Sequence, residues 1–138
     1  MKKALGLALT LVLLCLTACS NDDSPKSSVS LDQLNKRWFY KATKIGNASE
    51  NYQHKPCGKD YIELQLPKAA KELHWIDCQQ DPETVTGTYT VNAKSNEFTT
   101  MFDTETITYT IKKLNSKELE AETSIANAKV TFIFTSVP

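Results

Sequence analysis

The chain has little of what marks most enzymes and nucleic-acid-binding proteins. Its 138 residues include two histidines, His54 and His74, and four glycines. It has no Gly-x-Ser-x-Gly, no His-Glu-x-x-His and no glycine-rich phosphate loop. The nucleophile elbow, the zinc-protease helix and the nucleotide cradle built from those motifs are therefore missing. Sixteen basic residues balance sixteen acidic ones. Nucleic-acid binding draws on a basic excess, so neither DNA nor RNA is an expected partner. The apolar run from Ala4 to Leu14 falls short of the about 20 residues a spanning helix needs. These absences point to a non-catalytic protein without a cofactor.

What is present begins at the N-terminus. Lys2 and Lys3 precede the apolar run, and Leu16-Thr17-Ala18-Cys19 follows it. Basic start, apolar centre and small-residue cleavage site are the three parts of a secretory signal peptide. Leu16, Ala18 and Cys19 resemble the lipobox of bacterial lipoproteins. That resemblance implies cleavage before Cys19, diacylglycerol on its sulfur and an acyl chain such as palmitate on the new amino end. Residues 1–18 are thus expected as signal peptide, with the mature chain held in the cell envelope by lipid. Ser20 follows the Cys, so the Asp of the inner-membrane retention pattern is absent. Asp22-Asp23 resembles the short acidic signal that sends some lipoproteins to the cell surface. An outer-membrane location, surface-exposed or not, is expected.

Cleavage after residue 18 leaves 120 residues, enough for one small domain. It also removes Lys2 and Lys3, so 14 basic residues face 16 acidic ones. A surface this near neutrality gives no reason to expect an electrostatic grip on anionic lipid, and the acyl chains should hold the protein. Residues 19–30 hold the lipidated Cys and a polar stretch with one apolar residue, Val29, which reads as a disordered tether. Ser30-Leu31-Asp32-Gln33 fits a capping box and predicts one helical turn.

Strict alternation dominates the rest. Thr84, Thr86, Thr88 and Thr90 interleave with Val85, Gly87, Tyr89 and Val91, and Thr106, Thr108 and Thr110 with Ile107, Tyr109 and Ile111. Period two means one buried and one wet face, as in antiparallel sheets. Turn signals between such runs predict eight strands, near 36–45, 60–66, 71–78, 85–93, 97–102, 105–113, 117–123 and 128–136. The first connection, 46–59, is long. Eight short strands with short connections suggest an up-and-down barrel, whose closure removes unpaired edges. Inward candidates are Trp38, Tyr40, Ile62, Leu64, Leu66, Trp75, Tyr89, Val91, Phe98, Ile107, Tyr109, Ile111, Leu119, Val130, Phe132 and Phe134. Around strand three the parity is ambiguous, since Leu73 and Trp75 oppose His74 and Ile76.

Cys57 and Cys78 remain as an even pair in an oxidising compartment, and a disulfide is the leading expectation. Their numbers centre on the turn at Pro67-Lys68, which places them at the same end of neighbouring antiparallel strands. The rival is a metal site of His54, Cys57, His74 and Cys78. Asp77, Asp81 and Glu83 lack the ordered spacing of a Ca²⁺ loop.

Leu34-x-x-x-Trp38, the long first loop, Cys57-Gly58-Lys59-Asp60-Tyr61-Ile62, Cys78 and Gly87-x-Tyr89 together resemble the small lipocalin-like domains of bacterial lipoproteins. Such domains usually carry Gly two residues before the Trp, and here Lys36 stands there. The resemblance covers residues 31–138 and implies an all-β, eight-stranded antiparallel barrel. Within it, the mouth would lie opposite the tether and bind a small apolar ligand or an extracellular protein. Tyr52, His54 and Trp75 are the ligand-binding candidates, since sites in barrel mouths combine apolar surface with a few polar groups. The other expectation is a protein-binding barrel, such as an envelope inhibitor of a host lysozyme or protease. A monomer is expected in either case.

Overall fold

The computed structural model describes residues 30–138; the expected signal peptide, Cys19 and the tether to residue 29 lie outside them. Apart from one 3-10 turn (Leu31–Leu34), the elements are nine strands: β1 (Arg37–Ile45), β2 (Ala48–Asn51), β3 (Tyr61–Gln65), β4 (Ala69–His74), β5 (Glu83–Asn92), β6 (Glu97–Phe102), β7 (Glu105–Leu114), β8 (Glu118–Ile125) and β9 (Ala128–Thr135). All pairings are antiparallel. Eight strands run around a closed up-and-down barrel, sealed where β9 pairs with β1, and β2 is the extra one.

The extra strand corrects the expectation of a strand-free first loop. β3 is five residues long and pairs only with Arg37–Phe39 on one edge of β1. Higher on that edge, Ala42–Ile45 pair with β2 instead. Unpaired backbone groups on a strand edge need partners, and the chain supplies them by folding back at Gly46, whose φ is +58°. The capping box also fails to form. Ser30 makes no side-chain cap; its carbonyl accepts from the Gln33 N–H at 3.0 Å and closes a 3-10 turn.

The alternating pattern fills the barrel. Trp38, Ile62, Leu64, Tyr89, Phe98, Tyr109, Ile111, Leu119 and Phe134 form one buried cluster with Ala70 and Ala121, and Leu34 from the 3-10 turn plugs its base. The Trp38 indole N–H donates to the Leu34 carbonyl at 3.0 Å, fixing the plug. Each large apolar side chain buried in this way contributes about 1.5–3 kcal/mol. Gly87 has a packing role in β5, since a Cβ there would fall 2.1 Å from the Met101 carbonyl oxygen on β6. Three of the expected inward residues lie outside the core, one of them Val91, 40% exposed near the end of β5. Leu66 is 72% exposed, in the β3–β4 turn beside a cis Leu66–Pro67 bond, and Trp75 follows the end of β4.

Connections segregate by end. The base holds the 3-10 turn, the turns at 66–68, 93–96 and 115–117, and Ser136 after β9, which bonds Lys117 and Ser116. The open end holds the turn at 46–47, the segments 52–60 and 75–82, and the two-residue turns Asp103-Thr104 and Ala126-Asn127.

Candidate functional site

The open end is built around Asp60, a carboxylate only 4% exposed. Its Oδ1 accepts from the Trp75 N–H at 2.8 Å and its Oδ2 from the Tyr52 hydroxyl at 2.5 Å. Its own N–H donates to His54 Nδ1 at 3.1 Å, and its carbonyl accepts from the Tyr40 N–H at 3.2 Å. One residue thus ties the 52–60 segment to β1 and to the exit of β4. The Trp75 N–H goes to this carboxylate rather than to a ladder, which is why the strand expected over 71–78 stops at His74.

His54 is defined by the same network. A backbone N–H can only donate, so Nδ1 is unprotonated, and Nε2 donates to the Tyr40 carbonyl at 2.7 Å. Both ring nitrogens are engaged by backbone. Tyr52 stacks on Tyr40 with centroids 5.0 Å apart, and burial followed by the Asp60 hydrogen bond pushes its hydroxyl pKa well up. Trp75 covers Gly58, where an added Cβ would fall 2.1 Å from the indole nitrogen. Of the three expected ligand contacts, the structure brings Tyr52 and His54 together beside a hollow of about 180 Å³, and holds Trp75 apart over the loop that carries Cys57.

Below this network the barrel interior is polar on one wall. β4 pairs Glu72 with Ile62 and Val85, both on inward-facing positions, so Glu72 points inside. It accepts from the Tyr40 hydroxyl and meets His74 Nε2 at 3.1 Å, while His74 Nδ1 lies 3.8 Å from Asp60. Burial pulls the Glu72 pKa upward, but hydrogen bonds from His74 and Tyr40 outweigh it and hold the carboxyl below its ordinary value. The bond to Glu72 raises the His74 pKa against burial. Burial, then Glu72, drives the Tyr40 hydroxyl well above its usual range. Asp60 and Glu72 were not anticipated as site residues. The available signal was parity, since Glu72 and His74 share the face of buried Ala70.

Cys57 and Cys78 form the expected disulfide, with Cα atoms 5.5 Å apart. Both sulfurs are thereby used, and the four-ligand metal set with His54 and His74 does not assemble. Asp77 Oδ1 accepts from the Gln79 and Gln80 N–H groups and shapes its own turn.

A larger concavity lies on the other side of the open end. β7 and β8 pair only between Thr110/Glu122 and Leu114/Leu119, with a bulge between Ile111 and Lys113. Bulges add local twist, and above this one the strands part. The resulting cleft of about 630 Å³ is lined by Glu105, Thr106, Ile107 and Thr108 of β7 and by Thr123, Ser124 and Ile125 of β8, with Lys129 beside them. Ile107 packs on the core, whereas Thr108 shares an outward hydroxyl contact with Thr99, so the cleft crosses the barrel wall. Comparison with protein-family models finds no match, and comparison with curated proteins finds none either.

Proposed function

We propose that this chain is a lipid-anchored envelope lipoprotein of the lipocalin-like kind, held in the outer membrane through Cys19. On this reading it is non-catalytic and takes a small apolar ligand or a partner at the open end of its barrel. The observation that carries the binding reading is the cleft between β7 and β8. Its volume of about 630 Å³ falls in the 300–1,000 Å³ range of small-molecule sites, and it joins apolar Ile107 and Ile125 to hydroxyls and carboxylates. The non-catalytic reading is supported by the titratable cluster, whose hydrogen-bonding groups face one another and backbone. Mass spectrometry of lipid co-purified with the native protein tests the reading. An Ile107→Glu variant should lose any such ligand, and native protein that carries none and binds no fatty acid or sterol would sink it.

The second reading is a protein-binding barrel, such as an inhibitor of a host lysozyme or protease. It is favoured by the β1–β2 hairpin, where all four β2 residues are exposed and Ile45 is 55% exposed. It is also favoured by the packed lower barrel, where Trp38, Leu64, Phe98 and Leu119 are buried.

A further inference from the structure

We propose that the base of the barrel docks on the anionic phospholipid headgroups of the membrane that the Cys19 lipid enters. This rests on the lipid-anchor reading and adds an orientation to it. The near-zero total charge conceals a segregation by end. The three base turns carry Lys68, Lys94 and Lys117, all exposed and none in a salt bridge among the described residues. The acidic side chains there are Asp32 and, where the strands leave the turns, Glu97, which accepts from Ser95, and Glu118, which pairs with Lys113 and Lys41. The open end instead carries Asp77, Asp81 and Asp103 on its connections, against Lys55 and Lys59.

Apolar surface accompanies the lysines. Leu66, 72% exposed, and Val91, 40% exposed, border a hollow of about 360 Å³ that Leu31, Asp32 and Lys68 also line. Exposed aliphatic side chains among lysines match the boundary between headgroups and acyl chains. The chain arrives at this same face. Ser30 precedes the 3-10 turn beside the hollow, and the eleven residue steps from Cys19 reach at most about 40 Å. The end nearest the anchor is thus the end with the complementary charge, and the cleft then faces away from the bilayer.

The test uses the mature protein in phosphatidylcholine vesicles with and without phosphatidylglycerol. Leu66→Cys and Ile76→Cys variants each carry an environment-sensitive dye, read by iodide quenching. Position 66 should be shielded only when phosphatidylglycerol is present, and position 76 should stay accessible. Each lysine near an anionic surface contributes about fivefold in affinity, so Lys68→Ala, Lys94→Ala and Lys117→Ala together should weaken docking about a hundredfold. High salt should do likewise. Equal quenching at both positions, or shielding indifferent to the lysines, overturns the proposal. So does shielding already present without vesicles. That result would assign the face to a second copy if it depends on concentration, and to the Asp22-Asp23 segment if it does not. Intact mass of the same sample reports the lipid on Cys19. An unlipidated protein that still shows charge-dependent shielding sinks the anchor alone, and a lipidated one without it sinks the docking alone.

Discussion

Glu72 accepts a hydrogen bond from the hydroxyl of Tyr40 inside the barrel, thirty-two residues away along the chain. On its other side it holds His74 at 3.1 Å. The barrel cluster below it is apolar, so this carboxylate is stable only while both partners are in place.

The pair makes stability depend on pH. The folded Glu72 pKa is lowered, so its contribution is present above the ordinary value of 4.5 and is lost as pH falls through the lower folded value. The folded His74 pKa is raised, so its contribution is full below 6.5 and is lost as pH rises through the higher folded value. The stability difference between wild type and His74→Asn should therefore peak between pH 4.5 and 6.5. Its size should be about 1 kcal/mol or less, since the His74 side chain is one-third exposed. Urea denaturation across pH measures it, and a flat difference would refute the coupling.

Removing the disulfide should cost more. The loop it closes spans a sequence separation of 21, and such a loop stabilises by about 3 kcal/mol in the chain-entropy model. Cys57→Ser with Cys78→Ser should lower the urea midpoint accordingly without changing the circular dichroism of the sheet. Thiol titration of the oxidised protein should find neither sulfur free.

Two glycines offer graded tests of close packing. At Gly87 an added Cβ meets the backbone oxygen of Met101 at 2.1 Å, and neither strand can give way without breaking the β5–β6 ladder. Gly87→Ala should destabilise by about 2–3 kcal/mol. At Gly58 the obstacle is the Trp75 side chain, which can swing outward. Gly58→Ala should cost less and should red-shift the emission of Trp75, measured in a Trp38→Phe background.

Ala126 is the opposite case. It sits at φ +48° in the β8–β9 turn, followed by Asn127 at +68°. Positive φ at both central positions is what this hairpin turn demands, and Asn or Gly meets that demand better than Ala. Ala126→Gly should raise stability by about 1 kcal/mol. A loss measured by thermal melting would contradict the turn geometry.

Much of this fold was legible because threonines and aliphatics alternate so cleanly. Val85 to Val91 and Ile107 to Ile111 announce their faces, and the numbering of Cys57 and Cys78 already centred the β3–β4 hairpin. The ladder itself centres on Pro67, with Tyr61 opposite Leu73 and Gln65 opposite Ala69. What escaped had no side-chain signature. Ala48–Asn51 becomes a strand because β1 offers it a backbone edge, and no periodicity in those four residues says so. The candidate site was less legible than the fold. Tyr52 and His54 were visible as isolated polar aromatics, but Asp60, which organises them, looks on paper like any loop carboxylate. Glu72 looks like a surface residue until strand parity turns it inward.

The parted seam of β7 and β8 bears on how the barrel comes undone. A closed ring of strands loosens where few rungs must break; β1 and β3 share three, but there Asp60 and β2 bind the rest of that β1 edge. The β7–β8 junction pairs four residues on each strand, whereas β8 and β9 pair along eight. Opening from Thr110 downward exposes Ile111 and Ala121 without breaking the eight rungs of β8 and β9. Amides of Ile107 to Ile111 and of Ala121 to Ile125 that face the seam should therefore exchange with deuterium sooner than their neighbours. The same short seam that opens a cleft in the wall is thus a place where the native state begins to breathe.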